Sequence, residues 1–174
     1  MEVALFPKIA MFEQNRPDTK PAFDWALWMK WILATTLGWA LGWIVSEFAV
    51  GLTVGLAQWL VLRDRLAQSR WWILASTAGW AAGRALAGAV IPTGNPVLIG
   101  GTIGAILGIT QFLVLRSQVR QSWWWIVLSA ASWGLALTGI LGAPLVGTIA
   151  GAATGLGLEP FLRHSSREPR GEPA

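Results

Sequence analysis

An internal repeat is the feature of this sequence that most restricts its fold. Residues 51–80, shifted by 53, fall on residues 104–133, and fifteen of the thirty paired positions are identical. The block QWLVLR that begins at Gln58 returns as QFLVLR from Gln111. A segment of this length that recurs along a chain predicts a fold assembled from copies of one supersecondary unit.

Weaker copies extend the repeat in both directions. The matching residues are Gly151, Gly155 and Arg163 downstream, at a further shift of 47, and Gly38, Trp39 and Gly42 upstream, at a shift of 41 from Gly79, Trp80 and Gly83. Each unit has the pattern of a tryptophan-led helix followed by a Gly-x-x-x-Gly helix that returns. Three such helical hairpins, all in the same direction, predict a parallel repeat.

The hairpins are apolar enough to predict helices that span a membrane. The chain is 54% hydrophobic and 13% charged, whereas a soluble domain is about 25% charged. Apolar stretches of about 16 to 21 residues approach the length that crosses a bilayer. The predicted spans are residues 28–45, 51–66, 71–91, 97–115, 123–141 and 145–162. We therefore predict an all-α polytopic bundle of six transmembrane helices in the lipid bilayer, as three hairpins over about 25–66, 71–115 and 123–163.

The basic residues predict the orientation of this bundle. Of the 13 Lys and Arg residues, all but Arg84 lie before or at the start of the first span, after the sixth, or in the loops 63–70 and 116–122. The positive-inside rule then places both termini in the cytoplasm, with the chain in a bacterial inner membrane or a thylakoid membrane. Residues 1–24 are predicted to form a flexible cytoplasmic arm without a cleaved signal peptide, with Met11 as an alternative start. Residues 164–174 are predicted to be a disordered tail.

Glycines at four-residue spacing are candidates for helix packing. In lipid, helices associate through close van der Waals contact, which small residues permit. The glycines in this pattern are Gly38, Gly42, Gly51, Gly55, Gly79, Gly83, Gly104, Gly108, Gly151 and Gly155. Gln58 and Gln111 share helix faces with these glycines, so both amides are expected to point at neighbouring helices. Many of the 13 tryptophans cluster beside basic residues, which is where amphipathic rings are expected at the lipid–water boundary.

The same blocks resemble an uncharacterised group of small bacterial integral membrane proteins, associated with cyanobacteria and similar phototrophs. The resemblance is carried by the QWLVLR block from Gln58 to Arg63, its copy from Gln111 to Arg116, and the segment WWILAS that begins at Trp71. It covers most of residues 28–163 and implies a membrane location and a repeat architecture, without an activity. The third unit departs from the pattern, because Leu158 replaces the glutamine.

Charged residues present in only one unit are the candidates for an intramembrane polar site. Arg84 corresponds to Trp43 and Leu137, and an intramembrane arginine is costly. At the shift of 41, Glu47 corresponds to residue 88, one helical turn beyond Arg84, so we predict an ion pair between them, direct or bridged by water. The alternatives for Arg84 are that it reaches toward the outer face, or that it contacts a substrate or anion in a cavity. Glu47 is otherwise an exposed turn acid.

Glu159 has tryptophan and phenylalanine as its counterparts and is followed by Pro160, which is expected to bend or fray the helix. It is expected to pair with Arg163 or to carry a proton or contact a cation. With Gln58 and Gln111, which could line a polar path, these charges complete the candidate site.

Functional motifs for catalysis are missing from the sequence. There is no cysteine, the one histidine is His164 in the tail, and no P-loop, dinucleotide fingerprint or nucleophile elbow is found. We therefore predict a protein that is not an enzyme and has no metal or cofactor. The net charge of +4 sits in loops and indicates topology rather than a nucleic-acid partner.

Three functions remain open on the sequence alone. The first is a non-catalytic membrane scaffold or accessory subunit that associates with other membrane proteins or with itself. The second is a small solute or ion carrier or channel, with a polar path at the charged and amide residues. The third is a pigment- or lipid-binding protein, in which the glutamine oxygens and tryptophan rings contact the bound molecule.

Overall fold

The protein forms an all-helical bundle in a computed structural model that describes residues 23–91, 94–118 and 122–165. Within these residues there are six α-helices and no β-strand. The helices are α1 (Trp25–Val45), α2 (Val50–Leu62), α3 (Trp71–Val90), α4 (Pro96–Leu115), α5 (Trp124–Ala136) and α6 (Val146–Ser165). Short 3₁₀ turns at Glu47–Ala49 and Ala143–Leu145 lead into α2 and α6.

The six helices form a closed ring in chain order. Each helix packs against the helices before and after it in the sequence, and α6 packs against α1 to complete the ring. The ring has a basic end, defined by the start of α1, the loops 63–70 and 116–118, and the end of α6. Hydrogen bonds connect these segments: the Ala67 amide donates to the Gln118 side chain at 2.8 Å, and the Asp24 amide donates to Glu159 at 3.0 Å.

The helix boundaries differ from the predicted spans at several ends. Helix α1 begins at Trp25, three residues before the predicted start, because the Asp24 carboxylate accepts the Leu27 N–H and caps the helix. Helix α5 stops at Ala136 rather than near residue 141. Gly139 and Gly142 follow it with φ angles of +66° and +93°, in the left-handed region that ends helices.

The last helix also differs from expectation. Helix α6 continues through Pro160 to Ser165, so it does not fray at this proline, and a bend there stays a prediction. The helix therefore includes two residues of the segment predicted to be a disordered tail. The rest of that tail, and the predicted N-terminal arm up to residue 22, lie outside the described residues.

By length and composition, one helix of the described segments is long and apolar enough to cross a membrane. This helix is α4, with a mean hydropathy of 2.0. Helix α5, and α2 together with its preceding turn, are apolar but shorter. Helices α1 and α3 are long enough, but Lys30, Arg84 and several tryptophans interrupt their apolar character.

Glycines four residues apart lie at five of the six seams, the contacts between neighbouring helices of the ring. At all ten glycines singled out from the sequence, an added Cβ would come within 3.0 Å of an atom on the facing helix. Gly83, for example, faces the Ile103 backbone, and Gly51 faces Trp80. The sixth seam, between α5 and α6, has Gly157 against Leu128 but no such pair, because Ser132 and Ala136 replace Gly79 and Gly83 in the third unit.

Candidate functional site

Six buried tryptophans lie inside the ring in two layers of three. In the basic-end layer, the rings of Trp31, Trp72 and Trp125 contact one another edge to face, with centroids 5.8–6.1 Å apart. Each comes from an odd-numbered helix and is at most 1% exposed. Edge-to-face packing is a favourable arrangement for aromatic rings, so the three side chains of this layer form a closely packed aromatic cluster.

The far-end layer repeats this arrangement eight residues further along the same helices. It contains Trp39, Trp80 and Trp133, whose ring centroids are 5.4–5.9 Å apart. Eight residues of α-helix correspond to about 12 Å, so the two tryptophan layers lie about 12 Å apart along the helix axes. The expectation that the tryptophans mark the lipid–water boundary is wrong for these six. It remains a prediction for the exposed residues Trp25, Trp43, Trp71, Trp123 and Trp124.

The two glutamines hold the basic-end layer together. The amide oxygen of Gln58 accepts the indole N–H of Trp72 at 2.9 Å, and its amide nitrogen donates to the Thr35 hydroxyl at 3.0 Å. This side chain therefore joins α1, α2 and α3. The prediction that it points at neighbouring helices is confirmed. A buried amide in apolar surroundings is costly unless it is hydrogen-bonded, and both ends of this one are.

The second unit contains the same network. The oxygen of Gln111 accepts the indole N–H of Trp125 at 2.8 Å, and its nitrogen donates to the Ser76 hydroxyl at 3.0 Å. Ser76 corresponds to Thr35 at the shift of 41. The prediction for this glutamine is confirmed too, and the repeat reproduces side-chain hydrogen bonds as well as helices.

In the third unit a different residue accepts the indole N–H of the buried tryptophan. Leu158 stands where the glutamine would be, and Thr154, one helical turn earlier, accepts the indole N–H of Trp31 at 2.9 Å. The counterparts of this threonine are Val54 and Leu107. Ser129, the counterpart of Ser76, therefore has no amide donor. Its hydroxyl is buried without a hydrogen-bond partner, as is that of Ser132 on the same helix.

The far-end layer is anchored by backbone carbonyls of the turns. Trp39 donates its indole N–H to the Ala143 carbonyl at 3.1 Å, and Trp80 donates to the Glu47 carbonyl at 2.9 Å. The short 3₁₀ turns before α2 and α6 supply these two acceptors. The turns are therefore held against the aromatic core.

Arg84 and Glu47 form the ion pair that the repeat predicts. The guanidinium of Arg84 donates to the Glu47 carboxylate at 2.6 Å. Both side chains are about one-third exposed, at 35% and 37%. The pair connects α3 to the turn before α2, beside the far-end tryptophan layer. It lies at the edge of the bundle rather than in an enclosed cavity.

Glu159 lies at the basic end and is buried. Its carboxylate accepts the backbone N–H of Asp24 at 3.0 Å, and the residue is 4% exposed. The carboxylate of Asp24 in turn pairs with Arg65 at 3.0 Å. The predicted partner of Glu159, the Arg163 side chain, lies outside the described part of the chain.

The surroundings of Asp24 favour its ionised form. The carboxylate accepts the backbone N–H of Leu27, and this bond is the main reason that the pKa of Asp24 lies below its ordinary value of 3.8. The hydrogen bond and charge of Arg65 lower the pKa further, while partial burial opposes both.

The structure does not gather the five candidate polar residues into one site. Arg84 and Glu47 form a pair at the far end, the two glutamines belong to the basic-end tryptophan layer, and Glu159 contacts the start of α1. Among the described residues, no group of three His, Cys, Asp or Glu side chains is placed to hold a metal ion.

Sequence reasoning missed the partners that complete these networks. Thr35 and Ser76 correspond at a shift of 41, as do Trp31 and Trp72, so the repeat contained the signal. Asp24 gave a weaker signal, as an N-cap residue directly before an apolar run. Thr154 carries no repeat signal, because it is polar only in the third unit.

No family model, curated protein or solved structure matches this chain. The resemblance to small membrane proteins of phototrophs stays a prediction.

Proposed function

We propose that this chain is a six-span integral membrane protein that serves as a non-catalytic scaffold or accessory subunit. In this proposal all six helices cross a bacterial inner membrane or a thylakoid membrane. The basic end faces the cytoplasm with both termini. The partner is another membrane protein or further copies of the chain.

The distribution of apolar side chains supports membrane insertion. Large apolar residues point outward on the helices of the ring, while several polar side chains are buried inside it. Exposed examples are Leu33, Leu37 and Leu41 on α1, Leu52, Leu56 and Leu60 on α2, and Leu98, Ile109 and Leu113 on α4. Water would disfavour so much contiguous apolar surface, whereas lipid is a suitable solvent for it.

The two short helices fit a bilayer with their flanking segments. Helix α5 has 13 residues, or about 20 Å, against a hydrocarbon core of roughly 30 Å. The exposed residues Ile140 and Leu141 extend the apolar surface beyond its end. Local thinning of the bilayer and snorkelling of flanking side chains accommodate the remaining mismatch.

Tryptophan side chains fill the centre of the helix ring, and this observation gives the scaffold role its main support. The two tryptophan layers occupy the centre of the ring, where a path through a six-helix ring would run. The two glutamines considered for the lining of such a path are instead hydrogen-bonded to indoles through their amide oxygens and to hydroxyls through their amide nitrogens. A rigid bundle with satisfied polar groups is suited to binding neighbours through its surface rather than to moving solutes through its centre.

Single-cysteine labelling tests the membrane topology. The chain has no cysteine, so each introduced thiol reports one position. Ser117→Cys is expected to react with a membrane-impermeant maleimide from the cytoplasmic side only. Phe48→Cys and Ile140→Cys are expected to react only from the opposite side. Labelling of all three from one side would contradict the six-span arrangement.

Purification in mild detergent from the native membrane tests the scaffold role. A stoichiometric membrane-protein partner, or a defined oligomer of the chain, is expected in quantitative mass spectrometry. Reconstituted liposomes containing the chain alone are expected to leak ions and small solutes no faster than empty liposomes. A monomer without a partner, or solute flux that depends on the chain, would overturn the proposal.

A further inference from the structure

Two apolar grooves run along the outer surface of α3 near the basic end. The first lies between α2 and α3, has a volume of about 520 Å³, and is lined by Leu52, Arg70, Trp71, Ile73, Leu74 and Thr77. The second lies between α3 and α4, has a volume of about 380 Å³, and is lined among others by Ala78, Thr110 and Leu113. Trp71 and Leu74 line both grooves, so they form a ridge between them.

One cationic side chain, Arg70, lies at the basic end of this ridge. Arg70 directly precedes α3, lines the first groove, and holds its guanidinium 6.0 Å from the centre of the Trp71 ring. It forms no ion pair with any residue that the structure describes, whereas Arg63, Arg65 and Arg84 each pair with a carboxylate. Its charge is therefore available to an anion from outside the chain.

The repeat shows that this arrangement is specific to the second hairpin. The counterparts of Arg70 are Met29 and Trp123, neither of which is charged. Trp123 stacks on Trp124 with ring centroids 4.5 Å apart, so an aromatic pair replaces the Arg–Trp pair at the equivalent place. The shared scaffold does not require the arginine, and a separate role has to explain it.

We infer that this surface binds one anionic phospholipid with two acyl chains. Its phosphate lies at Arg70, and its chains lie in the two grooves on either side of the Trp71–Leu74 ridge. From Arg70 to Thr77 the first groove follows α3 for about 10 Å, enough for the upper part of an acyl chain. The charge and the paired grooves select this occupant, because a lipid with two chains matches two grooves that meet at one cation. The inference rests on the proposed membrane location.

Native mass spectrometry of the purified full chain in detergent tests the inference. Phosphatidylglycerol and phosphatidylcholine with identical acyl chains are the probes. One phosphatidylglycerol is expected to remain bound per chain at concentrations that leave phosphatidylcholine unbound. Arg70→Gln is expected to weaken phosphatidylglycerol binding about fivefold, the effect of one basic residue near an anionic lipid. Ala78→Leu, which fills the second groove, is expected to weaken binding as well.

Matched variants provide the controls. Arg116→Gln removes an exposed arginine from the other loop at the basic end, and Ala131→Leu changes the counterpart of Ala78 in the next hairpin. Both are expected to bind phosphatidylglycerol as the wild type does. Glycerol phosphate, the headgroup without chains, is expected not to displace the lipid. Circular dichroism verifies that each variant is folded.

Three results would overturn the inference. They are unchanged binding by Arg70→Gln, an equal loss with Arg116→Gln, and displacement by glycerol phosphate alone. If single-cysteine labelling shows six spans while one of these results is obtained, the lipid site fails and the scaffold proposal stands. If labelling shows that the chain does not span a membrane, both fail.

Discussion

Trp125 donates its indole N–H to the amide oxygen of Gln111 at 2.8 Å, across the seam between α5 and α4. The nitrogen of the same amide donates to Ser76 on α3 at 3.0 Å. The glutamine belongs to the second hairpin and the tryptophan to the third. One buried side chain thus connects consecutive hairpins to the aromatic core.

Replacing this glutamine is expected to destabilise the bundle. Gln111→Leu keeps a side chain of similar size but makes it apolar, which leaves the indole N–H of Trp125 buried without an acceptor. The free energy of unfolding is expected to fall by about 1–3 kcal/mol. Reversible unfolding in mixed detergent–SDS micelles, followed by circular dichroism, measures this change.

Gln68→Leu is the control for the chemistry of the substitution. Gln68 is exposed in the loop before α3, so its replacement is expected to change stability by less than about 0.5 kcal/mol. Equal effects of the two substitutions would contradict a structural role for the Gln111 network.

The third hairpin allows a rescue experiment. Thr154→Val removes the acceptor for Trp31 and is expected to destabilise the protein by about 1–3 kcal/mol. Adding Leu158→Gln restores the glutamine of the other units. It is expected to recover most of this loss, because the new amide reaches both Trp31 and the unpaired hydroxyl of Ser129.

The single variant Leu158→Gln separates rescue from general stabilisation. In the presence of Thr154, the indole of Trp31 already has its partner, so the added amide is expected to give a smaller gain. The interaction energy follows from the double-mutant cycle. Additive effects of the two substitutions would show that residues 154 and 158 do not accept the same indole N–H.

Two glycines of α3 test the close approach of helices. A Cβ at Gly83 would lie 2.8 Å from the Cα of Ile103, whereas one at Gly88 would meet nothing within 4 Å. Gly83→Ala is expected to cost about 1–3 kcal/mol through overpacking. Gly88→Ala is expected to be neutral or to stabilise by up to about 1 kcal/mol through helix propensity. The same unfolding assay ranks the variants, and the reverse order would contradict the packing.

The ion pair between Arg84 and Glu47 is expected to contribute little to stability. Both side chains are about one-third exposed, and exposed pairs are worth about 0.2–1 kcal/mol. A double-mutant cycle with Arg84→Leu, the residue of the third unit, and Glu47→Gln measures the coupling. A coupling well above this range would indicate that the pair is shielded from water.

The repeat made much of the fold predictable, because a helix-packing pattern is local in sequence. Glycines four residues apart mark a helix face without knowledge of the partner helix, and all ten indicated glycines lie at helix contacts. The Arg84–Glu47 pair followed from the same frame. Helix ends were less predictable. The end of α5 depends on how residues 137–142 pack, since Gly139 and Gly142 adopt positive φ angles.

The position of the tryptophans was the main error, and its cause is physical. An indole suits either a lipid–water boundary or a core that supplies an acceptor. For Trp72 the acceptor is Gln58 on another helix, and composition does not reveal such a contact. The recurrence of Trp31, Trp72 and Trp125 at the repeat shifts was the available signal, since residues shared by all units belong to the scaffold.

Stability is expected to depend on pH through Asp24. The folded pKa of this carboxyl group lies below its ordinary value of 3.8, so the ionised form is favoured in the folded state. Its stabilising effect is therefore fully present above the unfolded pKa and is lost as the pH falls through the folded pKa. Asp24→Asn removes the charge but keeps a residue that caps helices well.

The wild type is expected to be more stable than Asp24→Asn at pH 7, because the charged carboxylate binds the Leu27 N–H and Arg65 more strongly than an amide does. This difference is expected to shrink as the pH falls below 3.8, where the carboxyl group becomes protonated. Arg65→Gln leaves the helix cap intact and is therefore expected to lower the stability at pH 7 by less than Asp24→Asn does. Unfolding curves from pH 7 down to about pH 3 measure all three proteins. A difference that stays constant over this range would show that the Asp24 charge does not stabilise the start of α1.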